Sequence, residues 1–176
     1  MISIRKMLPQ DRSAIYEILQ QTDMFTMPEI SVAMELIDAF LFNKEQKDYF
    51  IFVVTTDHNE VVGYTCFGPT PATEGTFDIY WIAIAPYLQK KGIGKKLLKF
   101  VEKQIIEKNG RIVIIETSSH QKYALTQQFY LKNCYNLEGR IKDFYRLGDD
   151  RLIFVKRLHQ PNENRENGKM AENLKK

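Results

Sequence analysis

Residues 89–96 read QKKGIGKK, and they separate an apolar run, Thr76 to Pro86, from a stretch of helical periodicity that begins at Ile93. Two glycines and four lysines therefore stand where a strand hands over to a helix. A helix N-terminus presents unpaired backbone N–H groups and a partial positive charge. Glycines let those groups approach a ligand, lysines raise the potential further, and the sum is a place for phosphate or pyrophosphate. The same residues also fit a solvated basic helix start that binds nothing, so the surrounding chain must decide.

Upstream of the loop, TFDIYWIAIAP (76–86) reads as a strand that Pro86 ends. Before it, YFIFVVTT (49–56) and EVVGYTCFG (60–68) are β-branched and aromatic runs joined through Asp57-His58-Asn59, a hairpin signature. Further back, ISIRKML (2–8) alternates like a short strand. PQDRSAIYEILQQ (9–21) and PEISVAMELIDAFLFN (28–43) then carry helical spacing behind their prolines. Downstream, Ile93, Leu97, Val101 and Ile105 recur every four positions until Asn109-Gly110 stops the helix. RIVIIETSS (111–119) shows almost no alternation and predicts a strand buried on both faces. A shorter helix is expected over roughly 122–133, followed by strands LEGRIKDFYRL (137–147) and RLIFVKRL (151–158) joined by Gly148-Asp149-Asp150. The order βααβββαβαββ predicts an α/β (α+β) fold, a mixed sheet with helices on its faces. One domain over 1–160 accounts for it, and PNENRENGKMAENLKK (161–176), nearly devoid of apolar residues, is expected to be a disordered tail.

Composition narrows the function classes. A chain of 176 residues fills one core and is too short for two comfortable domains. A net charge of +3, concentrated near the loop, suits a small anionic ligand better than a duplex, so no nucleic-acid partner is expected. Cys66 and Cys134 lie far apart, and His58, His120 and His159 are scattered, so neither a disulfide framework nor a metal site is expected. Arg5, Lys6 and Asp11 interrupt any signal-like run, and no stretch reaches the ~18 apolar residues of a membrane span. The expectation is a cytoplasmic protein with no membrane partner.

Three phosphate-binding motifs compete for the loop. A Walker loop ending at Gly94-Lys95 needs glycine at 89 and Ser or Thr at 96, where Gln89 and Lys96 stand. A dinucleotide fingerprint needs a third glycine where Leu97 stands, and a βαβ setting in place of the preceding meander. The pattern that fits is Q-x-x-G-x-G after a strand ending Ile-Ala-Pro. With YWIAIAPYLQKKGIGKKLL (80–98) and FYLKNCY (129–135), the chain over residues 1–158 resembles the GNAT family of acyl-CoA-dependent N-acyltransferases. The resemblance implies a mostly antiparallel central sheet and acetyl-CoA as co-substrate. Its pyrophosphate would lie on the backbone N–H groups of Gln89, Lys90, Lys91, Gly92, Ile93, Gly94 and Lys95. It also implies that the preceding strand is splayed, so that Ile82, Ala83 and Ile84 meet the pantetheine arm and the Ile82 N–H polarises the thioester carbonyl.

The resemblance further implies Tyr130, in Phe129-Tyr130-Leu131-Lys132-Asn133-Cys134-Tyr135, as the acid that protonates the departing thiolate. Asp78 is the expected base, with Glu74 and Glu116 as alternatives. Three positions depart from the family pattern: Cys134 where glycine ends the helix, with Asn133 expected to take the left-handed role; Tyr123 for a cofactor-contacting asparagine; and Thr126 for alanine. The implied activity is acetyl transfer to a primary amine, on a small molecule or peptide, by direct attack in a ternary complex of a monomer or homodimer. A non-catalytic acyl-CoA-binding module on the same fold is the alternative. Acceptor choice is expected from MFTMPEISVAMEL (24–36) and the KDFYRLGDD hairpin (142–150), with Asp143 or Asp149-Asp150 drawing a cationic amine.

Overall fold

The computed structural model describes residues 1–158, so the expected tail at 161–176 lies outside the described residues. The elements are β1 (Ile2–Lys6), α1 (Arg12–Gln21), α2 (Met27–Phe42), β2 (Phe50–Thr56), β3 (Val61–Pro69), β4 (Thr76–Ile84), α3 (Ile93–Glu107), β5 (Ile112–Ser118), α4 (Ala124–Lys132), β6 (Asn136–Arg146) and β7 (Asp149–Arg157). Their order is βααβββαβαββ, as the sequence predicts. The seven strands form one sheet in the order β1-β2-β3-β4-β5-β7-β6. Every neighbouring pair is antiparallel except β4 and β5, which the α3 crossover makes parallel.

Alternation along the strands builds two cores, one on each face. Ile51, Val53, Tyr64, Cys66 and Ala83 meet Ile15, Ile18 and Leu19 of α1 and Ile30 and Ile37 of α2. On the other face, Phe67, Phe77, Ile79, Val113 and Phe154 meet Leu98, Val101 and Ile105 of α3 and Tyr130 of α4. The α2 helix starts with a capping box: Thr26 Oγ1 accepts the Glu29 N–H, and a Glu29 carboxylate oxygen accepts the Thr26 N–H at 2.7 Å.

Three expectations need correction. First, β5 does alternate: Val113 and Ile115 are buried toward α3, whereas Ile112 and Ile114 are half-exposed and Glu116 is exposed. The helices α1 and α2 pack over β2–β4, and the same face of β5 and β7 is left open beside them.

Second, Asp149 and Asp150 begin β7 and are only 6% and 5% exposed. Asp149 accepts from the Ser118 hydroxyl, while Asp150 accepts from Arg140 and from the Asp143 N–H (2.9 Å). Asp143 in turn accepts the Gly148 N–H at 2.6 Å. Asp149 and Asp150 brace the β6–β7 hairpin from buried positions and are not free to draw an amine, while Asp143 is exposed and accepts only that backbone N–H.

Third, Asn133 keeps φ −103°, and Cys134 itself adopts the left-handed conformation at φ 65°. A side chain there is strained, because its Cβ crowds the backbone where glycine has none. Cys134→Gly should therefore raise stability by about 1 kcal/mol, or about 2–4 °C in Tm, measured by thermal unfolding. An unchanged or lowered Tm would contradict this account.

Candidate active site

Strands β4 and β5 stay paired only from Thr76–Ile112 to Ile79–Ile115. At that point β4 bulges: Ile79 faces Phe67 of β3 but Trp81 faces Cys66, which leaves Tyr80 as the extra residue. Beyond the bulge β4 follows β3, while Glu116–Ser118 pair only with Ile153–Arg151 of β7. The parallel pair therefore opens like a V, and the edge of β4 from Tyr80 onward is free. Ala85 donates its N–H to Val62 O of the loop edge of β3 at 2.9 Å. By antiparallel alternation Ala83 also points its backbone groups at β3, and those of Ile82 and Ile84 point into the opening. Of the three residues expected to offer their backbone, Ala83 is thus committed to the sheet.

At the mouth of the V the chain turns through a short 3-10 segment, Pro86–Leu88, into α3. Gln89 braces this turn: its N–H goes to Pro86 O at 3.2 Å and its side chain donates to Ile84 O at 3.0 Å. Lys90 (φ 60°) and Gly92 (φ 79°) are both left-handed, which curls the backbone around open space. The first N–H of the loop to find an acceptor after Gln89 is that of Lys96, on Gly92 O at 3.1 Å. Among the described residues, the N–H groups of Lys90 to Lys95 have none. A Cβ at Gly92 would meet no protein atom within 4 Å, and one at Gly94 would meet Phe129 at an ordinary 3.6 Å. Protein packing does not require glycine at 94, and the open space at Gly92 is available to a ligand. Phe129 also brings α4 against this end of α3.

Tyr130, next to it on α4, is 4% exposed and packs on Tyr135 and Phe154 at centroid distances of 6.0 and 5.6 Å. Burial pushes its phenol well above the usual value, so it is protonated across the neutral range. The Cys66 thiol is pushed up in the same way by its burial and is no nucleophile.

Asp78 lies at the closed end of the V, paired with Ile114 and pointing to the face opposite Phe77 and Ile79. It is half-buried and accepts from Thr70 Oγ1 at 2.6 Å. Burial is the largest influence and raises its carboxyl above the ordinary range; the Thr70 hydrogen bond opposes this, Glu116 adds to it and Arg151 opposes it. Along β5, Ile114, Glu116 and Ser118 share that face, and Ser118 pairs with Arg151 of β7. Asp78, Glu116 and Arg151 thus line one open surface, and Glu116 is ion-paired with Arg151. Glu74 is exposed in the turn before β4, away from this group.

Aromatic residues wall the surface. Tyr80 meets Tyr49 edge-on at 5.8 Å, and its hydroxyl is pushed up to about 12, chiefly by burial and then by Asp78. Tyr123, which stands where the family often has asparagine, donates its hydroxyl to Met24 O at 2.6 Å. That bond ties the start of α4 to the α1–α2 turn across the cleft. Arg151, Thr70 and Tyr80 were not legible as site residues. The i, i+2 alternation of RLIFVK marks Arg151 as facing Ile153's side, but only the β5–β7 register sets it beside Glu116. Among the described residues no group of three or more His, Cys, Asp or Glu is placed to hold a metal, and no helix is long and apolar enough to cross a membrane.

The sheet order, the opened parallel pair and the curled loop at its mouth define an acetyltransferase fold. The chain belongs to the acetyltransferase (GNAT) family, whose model matches residues 12–134. The crystal structure of a protein assigned to that family from Desulfovibrio desulfuricans is 40% identical, with a TM-score of 0.86 over 89% of this chain and 99% of that one. A protein from Salmonella typhimurium solved with its cofactor acetyl-CoA shares the fold at 17% identity, with a TM-score of 0.70 over 91% of this chain and 95% of that one. In Bacillus subtilis (strain 168), S-(2-succino)cysteine N-acetyltransferase is 29% identical over 73 residues, 42% of this chain. That match spans 44% of the Bacillus enzyme, less than half its length.

Proposed function

We propose that this protein transfers the acetyl group of acetyl-CoA to a primary amine by direct attack in a ternary complex. The observation that carries the proposal is the open V: a strand edge with two backbone positions, Ile82 and Ile84, unpaired by β5 and leading straight into unpartnered N–H groups at Lys90–Lys95. The first element matches an extended pantetheine arm, and the second a pyrophosphate. Structures of the same fold solved with acetyl-CoA, or with coenzyme A in an aminoglycoside 6'-N-acetyltransferase, support the pairing of this cleft with that cofactor.

The chain's own groups then divide the work. The Ile82 N–H, directed into the opening, donates to the thioester oxygen as negative charge develops on it. Asp78 takes a proton from the bound ammonium, directly or through water, and the free amine attacks the carbonyl carbon. The tetrahedral intermediate collapses, the C–S bond breaks, and Tyr130 protonates the departing sulfur. The second proton of the attacking nitrogen passes through water to the resulting Tyr130 phenolate, so the products are the amide, the free thiol and the one proton held by Asp78. No covalent acyl-enzyme is needed, in keeping with the buried, protonated Cys66. The direct test is thiol release from acetyl-CoA in the presence of a panel of primary amines; a folded protein that binds acetyl-CoA but releases thiol with none of them would leave only an acyl-CoA-binding role.

The raised carboxyl of Asp78 gives a pH signature. A base must be ionised to act, so kcat at saturating amine should fall as pH drops through the folded-state pKa, which lies above the ordinary ~3.9. Asp78→Asn should remove that acid limb and lower kcat by about 100-fold or more. A limb that survives the substitution would assign the base elsewhere, with Glu116 next in line.

A further inference from the structure

Arg151 has no part in the chemistry above, yet it stands on the same open face as Asp78. Only one of its donors, on Nη2, has an acceptor, Glu116. Its Nε–H is sealed from solvent with no partner. Its Nη1 makes no hydrogen bond and is not sealed, so Nη1, beside the Glu116-bound Nη2, is the donor a ligand meets. Phe144 of the β6–β7 hairpin supports the plane from behind, with Cζ 4.8 Å from the ring centroid. A planar fork held on an aromatic ring, with Nη1 unfilled beside an Nη2 that binds Glu116, keeps donor capacity for a second carboxylate. One carboxylate beside it does not fill that capacity.

The spacing agrees. Folded back onto Glu116, the guanidinium stands two residues along β5 from Ile114, the register partner of Asp78. At about 3.3 Å per residue along β5 and about 4.8 Å across to β4, that is roughly 8 Å. Two hydrogen bonds of about 2.8 Å each, with an amino acid's short span from nitrogen to carboxylate oxygen between them, cover such a gap.

We propose that Arg151 receives the carboxylate of the acceptor, and that the acceptor is therefore a free amino acid or a closely similar amino-carboxylate, with its nitrogen toward Asp78. This rests on the acetyl-transfer reading and names the acceptor class for the same site. A peptide N-terminus offers Nη1 only a neutral carbonyl, and a simple alkylamine offers it no acceptor.

The test measures thiol release with a panel of L-amino acids, each beside its α-amide. For the best amino acid, kcat/KM should exceed that of its amide by about 10- to 100-fold, the size of a charge-assisted contact. Arg151→Gln should bring the acid-to-amide ratio close to one, and Arg151→Lys should keep part of it, since it retains charge but not the fork. Should the glutamine variant not fold, Phe144→Leu lowers the same ratio by releasing the guanidinium. Inhibition by an N-acetyl amino acid against its amide reads the preference on the native protein alone. Amides as good as acids in the native protein, or a ratio that survives Arg151→Gln, would overturn the assignment of Arg151 while leaving acetyl transfer standing. Thiol release with no amine of either kind would remove the transfer reading itself, and this inference with it.

Discussion

Gly94→Glu should abolish acetyl-CoA binding while leaving the protein folded and at least as stable. Gly94 is the second residue of α3, inside the run of N–H groups that find no acceptor between Lys90 and Lys95. A glutamate there offers its own carboxylate to those groups and repels the pyrophosphate for which they are proposed. Losing two or three charge-assisted hydrogen bonds, at about 1.5–3 kcal/mol each, weakens binding by well over 100-fold. The fold has no reason to object, because a Cβ at 94 meets only Phe129 at 3.6 Å and Ile84 at 3.9 Å. Replacing glycine inside a helix gains up to about 1 kcal/mol, and an acidic side chain in the first turn adds a few tenths. The two readouts therefore move in opposite directions: Tm holds or rises while the calorimetric signal for acetyl-CoA disappears. Undiminished binding would place the ligand elsewhere and return the four lysines of QKKGIGKK to the role of a solvated helix start.

What the sequence disclosed, and what it did not, follows from the range of each interaction. The strand–loop–helix junction is local: Ile93, Leu97, Val101 and Ile105 announce one face of α3, and all four are buried. The element order was equally legible, since each hairpin and crossover carries its own turn residues. The bulge at Tyr80 was not, because it exists only as a mismatch between β3 and β4 that no run within TFDIYWIAIAP signals. For the same reason the commitment of Ala83 to β3 could not be read from its neighbours. Asp149 and Asp150 looked like an acidic turn; their burial depends on Ser118, Ser119 and Arg140 meeting them across two strands. RIVIIETSS looked buried on both faces because isoleucine is common to core and half-covered strands. The open face it shares with Arg151 reflects the packing of α1 and α2 over β2–β4, which β5 does not encode.

Tyr130→Phe should lower kcat by about 100-fold or more and leave acetyl-CoA affinity and stability nearly unchanged. The ring is held by Phe129, Tyr135 and Phe154, and phenylalanine preserves that packing. The phenol oxygen makes no hydrogen bond within the described protein, so deleting it leaves no orphaned partner and costs well under about 1 kcal/mol. Its loss should therefore be felt only when a proton is needed. Burial makes the phenol a weaker acid than tyrosine in water, but the sulfur leaves in the same low-dielectric surroundings, which raise the basicity of a thiolate in parallel. The same shift fixes the sign of the pH effect. An acid must be protonated to act, so any loss of rate from Tyr130 comes only as pH rises beyond the ordinary tyrosine value of about 10. The acid limb assigned to Asp78 should accordingly persist in the phenylalanine variant, and the single-turnover rate of thiol release should fall with kcat. A variant with native kcat would mean that water protonates the sulfur and that Tyr130 serves only the core. A fall in acetyl-CoA affinity matching the fall in kcat would instead make the hydroxyl a binding contact.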